Sequence, residues 1–340
     1  MTGKSTGNTA AAQVLYHDDS QHEARTERPG KKGQEPPKKK RKVAFTPQPV
    51  GLLGPGWEHC DATALVPHYT QMNQVPKHLR KYFSQRERYF SRYNEGCLLD
   101  EEGWYSVTPE QVALQIAERC RCDTVLDAFC GVGGNAIAFA QTLIAVDNSP
   151  VRLALARHNA IIYGVQDRIE FILADFPSFA RSLQTLPLSS SSSSHISRSR
   201  PLKIDVVFLS PPWGGPSYIT SSPRKPSSSL LSTPHEEEAH PEFTLDMTSP
   251  LPGDELFHLV RKITPHVAYF LPRNTNLQQV ASLISNNSNG GTSIQGGNQI
   301  EEKVEVEEEW MGLKLKALTC YFGGLVRGQE DMWHAATPTS

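Results

Sequence analysis

The sequence has no apolar run long enough to cross a membrane as a helix, and its first residues lack the apolar core of a signal peptide. No membrane partner is expected. Six cysteines are scattered along the chain (Cys60, Cys97, Cys120, Cys122, Cys130 and Cys320), and none forms a Cys-x-x-Cys pair. That spacing argues against a metal site and for reduced thiols in a nuclear or cytosolic protein. Apolar residues are also sparse, at 38% of 340. This balance points to one compact domain with disordered additions rather than a fully packed chain. A broad basic face is missing too. The net charge is -2, but residues 1–49 hold ten Lys/Arg against five Asp/Glu, which leaves the remainder at -7. Such a domain contacts nucleic acid locally, at one end, if at all.

Residues 1–50 show no amphipathic period and are read as a disordered tail. Within them, Pro36-Pro37-Lys38-Lys39-Lys40-Arg41-Lys42-Val43 reads as a nuclear localisation signal, an extended cationic ligand for an acidic import receptor. Residues 51–108 form an extension, partly helical, in which Pro76 to Tyr93 interleaves cations and aromatics at helical spacing. Phe83 and Phe90 are expected to face inward, with Arg80 and Lys81 toward a phosphate. Thr108 is a good N-cap and Pro109 a good first residue for a helix running to about Cys120.

From there strand and helix patterns alternate, which predicts βαβ units and a mostly parallel sheet. Strands are expected at Thr124–Ala128, Leu143–Asp147, Ile169–Leu173, Ile204–Leu209 and His266–Leu271. A final antiparallel pair is expected from Val304–Glu307 and Ala317–Phe322. The domain spans 109–328, with low-complexity insertions at 188–199, 219–242 and 286–299, and residues 329–340 are read as a second disordered tail.

Two stretches carry chemistry. Asp127 ends the first strand and is followed by Gly131-x-Gly133-Gly134 and a helix, a turn whose backbone can approach a nucleotide-type ligand. The third glycine of the dinucleotide fingerprint is absent, and Asp127 is placed to serve a cationic methionine end, so S-adenosylmethionine is favoured. Asp147 and Asp175 close the next two strands, where they can accept from ribose hydroxyls and an adenine amine. Any one of the three could be an ordinary loop or cap acid; three at successive strand ends are harder to dismiss. The second stretch is Ser210-Pro211-Pro212-Trp213-Gly214-Gly215-Pro216. Two prolines stiffen the turn, the indole offers a stacking face, and the carbonyls of Ser210 and Pro211 can accept from an attacking amine.

These two motifs together resemble the trimethylguanosine synthase family, whose members convert the N7-methylguanosine cap of small nuclear and nucleolar RNAs to the N2,N2,N7-trimethyl form. The resemblance runs from Lys81 to Arg327 outside the insertions. It takes in Lys81-Tyr82-Phe83, Phe90-Ser91-Arg92, Gly103 to Pro109, Asn159, Asp175-Phe176 and Leu271-Pro272-Arg273-Asn274. It implies an α/β, Rossmann-like class I S-adenosylmethionine-dependent methyltransferase with a mostly parallel seven-stranded sheet and an N-terminal helical extension. It also implies Phe90, Thr108, Asp127, Cys130, Gly131, Gly133, Asp147, Asp175 and Phe176 around the cofactor. Asn159, Ser210, Pro211 and Trp213 would surround the cap base, with the last three catalytic, and Lys81, Tyr218 and Arg273 would hold the cap phosphates. The implied partners are capped small nuclear and nucleolar RNA, with ribonucleoprotein core proteins, in the nucleus or nucleolus. The departures are the three insertions and Phe83, where tryptophan is usual. Two other readings share these motifs: a different exocyclic-amine methyltransferase of nucleic acid, and a non-catalytic cap-binding module.

Overall fold

The interior strands are continuous apolar runs because the sheet is covered on both faces, and this decides the architecture. The computed structural model describes residues 51–139, 142–185, 203–214, 242–285 and 302–335. The basic run 36–43, Gly215, Pro216, Tyr218 and the insertions, save Glu242, lie outside the described residues. In the extension, α1 (Arg80–Phe83), α2 (Arg86–Tyr89) and α3 (Glu101–Ser106) are short. The domain then runs α4 (Glu110–Arg119), β1 (Val125–Asp127), α5 (Gly134–Phe139), β2 (Leu143–Asp147), α6 (Pro150–Tyr163), β3 (Ile169–Leu173), α7 (Phe176–Thr185) and β4 (Val206–Leu209). It continues with α8 (Gly253–Val260), β5 (Val267–Pro272), α9 (Leu277–Ser285), β6 (Val304–Met311), β7 (Lys314–Phe322) and α10 (Met332–Ala335).

The seven strands form one sheet in the order β3-β2-β1-β4-β5-β7-β6. The first five are parallel, and β7 runs antiparallel to both its neighbours, as the sequence leads one to expect. Every residue of β1, β2, β4 and β5 is buried. One core beneath the sheet joins Phe176, Leu256, Phe257 and Val280 from α7, α8 and α9. The other joins Val112, Ile116, Phe139 and Leu153 from α4, α5 and α6. Strand order reverses between β1 and β4, so the loops after these two strands meet where open α/β sheets bind ligands. Ala128 N donates to Phe208 O at 3.1 Å, and Ser210 Oγ donates to Phe129 O at 3.4 Å, which ties those loops together.

Local signals explain the helix that flanks this point. Ser149 caps α6 by accepting from Arg152 N at 3.3 Å, Pro150 opens it, and Gly164 closes it at φ 69°. α4 starts one residue later than expected: Pro109 is its N-cap and Thr108 does not cap it. The Thr108 hydroxyl is committed elsewhere, accepting from Asn135 Nδ2 at 2.9 Å.

The extension is bound to the domain by a third core of Phe83, Phe90, Tyr93, Leu98 and Trp104 with Leu155 of α6. Trp104 is 2% exposed and touches the rings of Tyr69, Phe83 and Tyr93. Burying a side chain of that size contributes about 2–3 kcal/mol. The helical period from Pro76 to Tyr93 breaks at Ser84 and Gln85, which separate α1 from α2. Phe83 and Phe90 do face inward, but Arg80 turns back and donates from Nε to Val75 O at 3.2 Å.

Two features of the carboxyl end differ from or go beyond the sequence reading. Residues 329–335 are not a structureless tail: Gln329 is buried, and Trp333 stacks on His266 at 3.9 Å while Nε1 donates to Gly324 O. The acidity of β6 has a local partner. Arg119 of α4 pairs with Glu305 at 3.0 Å and Glu307 at 3.4 Å and stands 4.1 Å over the Tyr321 ring. Charge of this kind also protects an edge strand against pairing with another chain.

Candidate active site

The carboxyl ends of β1, β2, β3, β4 and β5 and the start of β7 enclose a cavity of about 540 Å³ with the extension. Most expected residues line it: Lys81, Thr108, Cys130, Gly131, Asp147, Asp175, Phe176, Ser210, Pro211, Trp213 and Arg273. Asp127 lies beneath, at the end of β1 and next to the lining residue Ala128. Besides Asp127, three expected residues are not in the lining. Phe90 belongs to the core of the extension, 2% exposed and 6.1 Å from the Tyr163 ring, and its neighbour Tyr89 lines the cavity instead. Gly133 (φ 91°) lets the turn pass α6, where an added Cβ would come within 3.1 Å of Ala156. Asn159 is wholly buried as a structural bracket. It accepts from Leu98 N at 2.7 Å and donates to Leu98 O and Val132 O, so its amide is committed to backbone and not to a base.

Asp127 is the unusual group. It is 0% exposed; Oδ1 accepts from Phe129 N at a long 3.3 Å and Oδ2 has no hydrogen-bond partner. Burial pushes its carboxyl up to about 7, and the nearby Asp147 charge adds to the rise. A buried carboxylate oxygen with nothing to accept is costly unless something binds it. Asn135 repeats the pattern: it is 9% exposed, and Oδ1 lacks a partner while Nδ2 is held by Thr108.

Asp147 is better provided for. Oδ2 accepts from Gly131 N at 3.0 Å and Oδ1 from Ser149 N at 2.8 Å, so each oxygen keeps a further lone pair. Burial raises its carboxyl, while those two bonds and the Arg152 charge oppose the rise. Arg152 itself is clamped by Asp100 at 3.1 Å and by Glu102. Asp175 is exposed and serves partly as a cap, since Oδ2 accepts from Ser178 N and Oγ. The Cys130 thiol is held well above its ordinary value by burial, so it is no nucleophile near neutral pH.

On the far wall, Trp213 is half-buried. Its ring lies 5.3 Å from Phe270 at 32° and packs against both sheet cores while lining the cavity. The proline turn is anchored by Ser249 N donating to Pro212 O at 3.2 Å. An acceptor below and an aromatic plane on the wall suit a cationic ligand held near a flat one. The family model for RNA cap guanine-N2 methyltransferase matches residues 122–224 and 237–325, which include both loops.

The chain belongs to that family.

This cap guanine-N2 methyltransferase has named relatives among curated proteins. A trimethylguanosine synthase from Schizosaccharomyces pombe is 37% identical over 215 residues, covering 61% of this chain and 76% of the relative. One from Saccharomyces cerevisiae is 31% identical over 212 residues, covering 60% of this chain and 57% of the relative. Among solved structures, an S-adenosylmethionine-dependent methyltransferase from Agrobacterium tumefaciens matches at 15% identity and a TM-score of 0.40, over 64% of this chain and 63% of that one. The sequence reading of the methyltransferase missed several lining residues, among them Tyr89, Arg152, Phe270, Lys314 and Lys316. Only the two lysines left a readable sign, as cations two apart on a strand that share one face.

Proposed function

We propose that the cavity holds S-adenosylmethionine on the β1–β3 side and the N7-methylguanosine cap against Trp213, and that the enzyme methylates N2 twice. The product is the 2,2,7-trimethylguanosine cap of small nuclear and nucleolar RNA. The carrying observation is the buried, unpartnered Oδ2 of Asp127 beside the Ser210–Trp213 turn. The residues present fit the cofactor. Asp127 would meet the cationic amino acid end, Asp147 the ribose hydroxyls, and Asp175 with Phe176 the adenine. When bound, S-adenosylmethionine supplies a methyl group on a cationic sulfur.

The protein's own part is orientation and shielding. Trp213 presents a flat face on which a cationic N7-methylguanine gains about 1–2 kcal/mol over a neutral base when desolvated. The Ser210 and Pro211 carbonyls would accept from the N2 amine and aim its lone pair at the methyl. Holding the reacting atoms in line supplies several kcal/mol of the barrier. The amine becomes more acidic once alkylated, so its proton can leave after transfer without a dedicated side-chain base. Lys81 and Arg273 would hold the cap phosphates, as would Tyr218, which lies outside the described residues.

Mass analysis tests this directly. Incubation with S-adenosylmethionine should add one and then two methyl groups to N7-methyl-GTP and none to GTP. Equal methylation of both nucleotides would point to a different exocyclic-amine enzyme. Nuclear residence is proposed on the basic run 36–43 alone. Deleting it should move the protein to the cytoplasm with unchanged turnover in vitro. Undiminished nuclear concentration of the deletion variant would refute that role.

A further inference from the structure

The guanine of the cap needs a donor that the residues assigned so far do not supply. Its acceptor O6 lies at the far end of the edge that carries N2, and its N7 is closed to hydrogen bonds by the methyl group. The carbonyls of Ser210 and Pro211 can only accept, so they serve the N2 amine and leave O6 unmet. Asn159, expected beside the base, spends its amide on Leu98 and Val132. The Ser210 hydroxyl spends its proton on Phe129 O at 3.4 Å.

Ser249, in the loop before α8, stands where that donor is needed. It is exposed and lines the cavity. Its N–H donates to Pro212 O at 3.2 Å, the carbonyl of the peptide that leads into Trp213, so it lies beside the stacking face. Among the described residues its hydroxyl makes no hydrogen bond. The backbone around it is braced. The buried Thr248 hydroxyl lies 3.0 Å from Leu245 O and 2.7 Å from Leu251 O. Leu245 N donates to Gln279 Oε1 of α9 at 2.8 Å, and Phe243 N donates to Asn274 O at 2.9 Å. These bonds fasten the segment to α9 and to the loop after β5, so Ser249 is presented from a fixed backbone.

We propose that the Ser249 hydroxyl donates to O6 of the cap guanine and so places N2 at the carbonyls of Ser210 and Pro211. A stacking face alone lets a base slide and turn in its own plane. One hydrogen bond in that plane, at the far end of the edge, removes this freedom and brings the amine into line. Ser249 is then a substrate-binding residue of the methyl transfer. This rests on the cap-binding reading above.

The test titrates two nucleotides into the full chain and into Ser249→Ala. One is N7-methyl-GTP, and the other is its N7-methyl-2-aminopurine counterpart, which keeps the N2 amine and lacks O6. Wild type should prefer N7-methyl-GTP by about tenfold, since a site built to donate to O6 binds poorly a base without it. Ser249→Ala should narrow that preference to about threefold or less, because the group that senses O6 is gone. Its affinity for S-adenosylmethionine should stay within about twofold of wild type, with an unchanged melting temperature. Loss of cofactor affinity and of melting temperature along with the preference would make Ser249 a brace of the proline turn and overturn the assignment. An undiminished preference in the variant, or no preference in wild type, would overturn it as well. Wild type that binds neither nucleotide would instead refute the cap-binding reading, and the role of Ser249 with it.

Discussion

Replacing Asp127 with Ala should abolish S-adenosylmethionine binding while leaving a folded protein. The carboxyl makes one long hydrogen bond, from Phe129 N at 3.3 Å, and its other oxygen has no partner, so the fold loses little with it. Removing one side of a buried charged contact costs about 3–5 kcal/mol, which corresponds to at least a hundredfold in affinity. The pH dependence has a definite sign. The folded value of about 7 lies above the ordinary 3.8, so the contribution of this group to stability is full below about 4 and is lost as pH rises through 7. The unliganded protein should therefore lose stability over that window, and Asp127→Asn, which cannot ionise, should lose less. Binding runs the other way. A cationic ligand needs the ionised carboxylate, so wild-type affinity should fall by up to tenfold for each pH unit below 7. Titration calorimetry across this range checks both points. Wild-type affinity in Asp127→Ala, or a flat pH profile in wild type, would reject the assignment.

The second large effect is expected at Trp213. A fully buried aromatic costs about 3–5 kcal/mol when cut to Ala. Trp213 is only half-buried, yet it packs against both cores and lies 5.3 Å from Phe270. Trp213→Ala should accordingly cost a smaller share, about 1–2 kcal/mol, while methyl transfer to N7-methyl-GTP falls by at least two orders of magnitude. Trp213→Phe should keep part of the activity, because a smaller ring still attracts the cation. Preference for N7-methyl-GTP over GTP should narrow in both variants. Thermal melting and turnover measured on one preparation separate the possibilities. A large drop in melting temperature, with activity in proportion to the folded fraction, would mean that the indole is only a core residue.

How much of this was legible in the sequence depended on whether a residue acts through its neighbours in the chain or through distant ones. β2 and β3 fall on their expected bounds because apolar runs are local signals, and Ser149-Pro150 and Gly164 mark the ends of α6 just as locally. The strand-end aspartates were legible for the same reason, since strand polarity carries them to one edge of the sheet. Asn159 and Phe90 were misplaced because their partners, Leu98, Val132 and Tyr163, become neighbours only in the folded chain. α8 and α9 lie between the insertions and are absent from the sequence expectations, and the end of the chain reads as a tail because Met332-Trp333 is too short an apolar stretch to mark an element. Its partner, His266, lies at the start of a distant strand.

The position of β7 bears on how the protein is made. This strand lies between β5 and β6, although it follows both in sequence, and its first residues form part of the cavity wall. A ribosome delivers the parallel strands β1 to β5 first and then the outermost strand β6, which has no neighbour to pair with until β7 emerges. Meanwhile β5 presents an open apolar edge, the kind of edge that joins other chains. A nascent chain that stalls before Lys314 therefore carries the glycine turn and the proline turn but cannot close the site around them. The cavity wall is therefore completed only when β7 has paired with β5, and until then the open edge of β5 is a place where other chains can add.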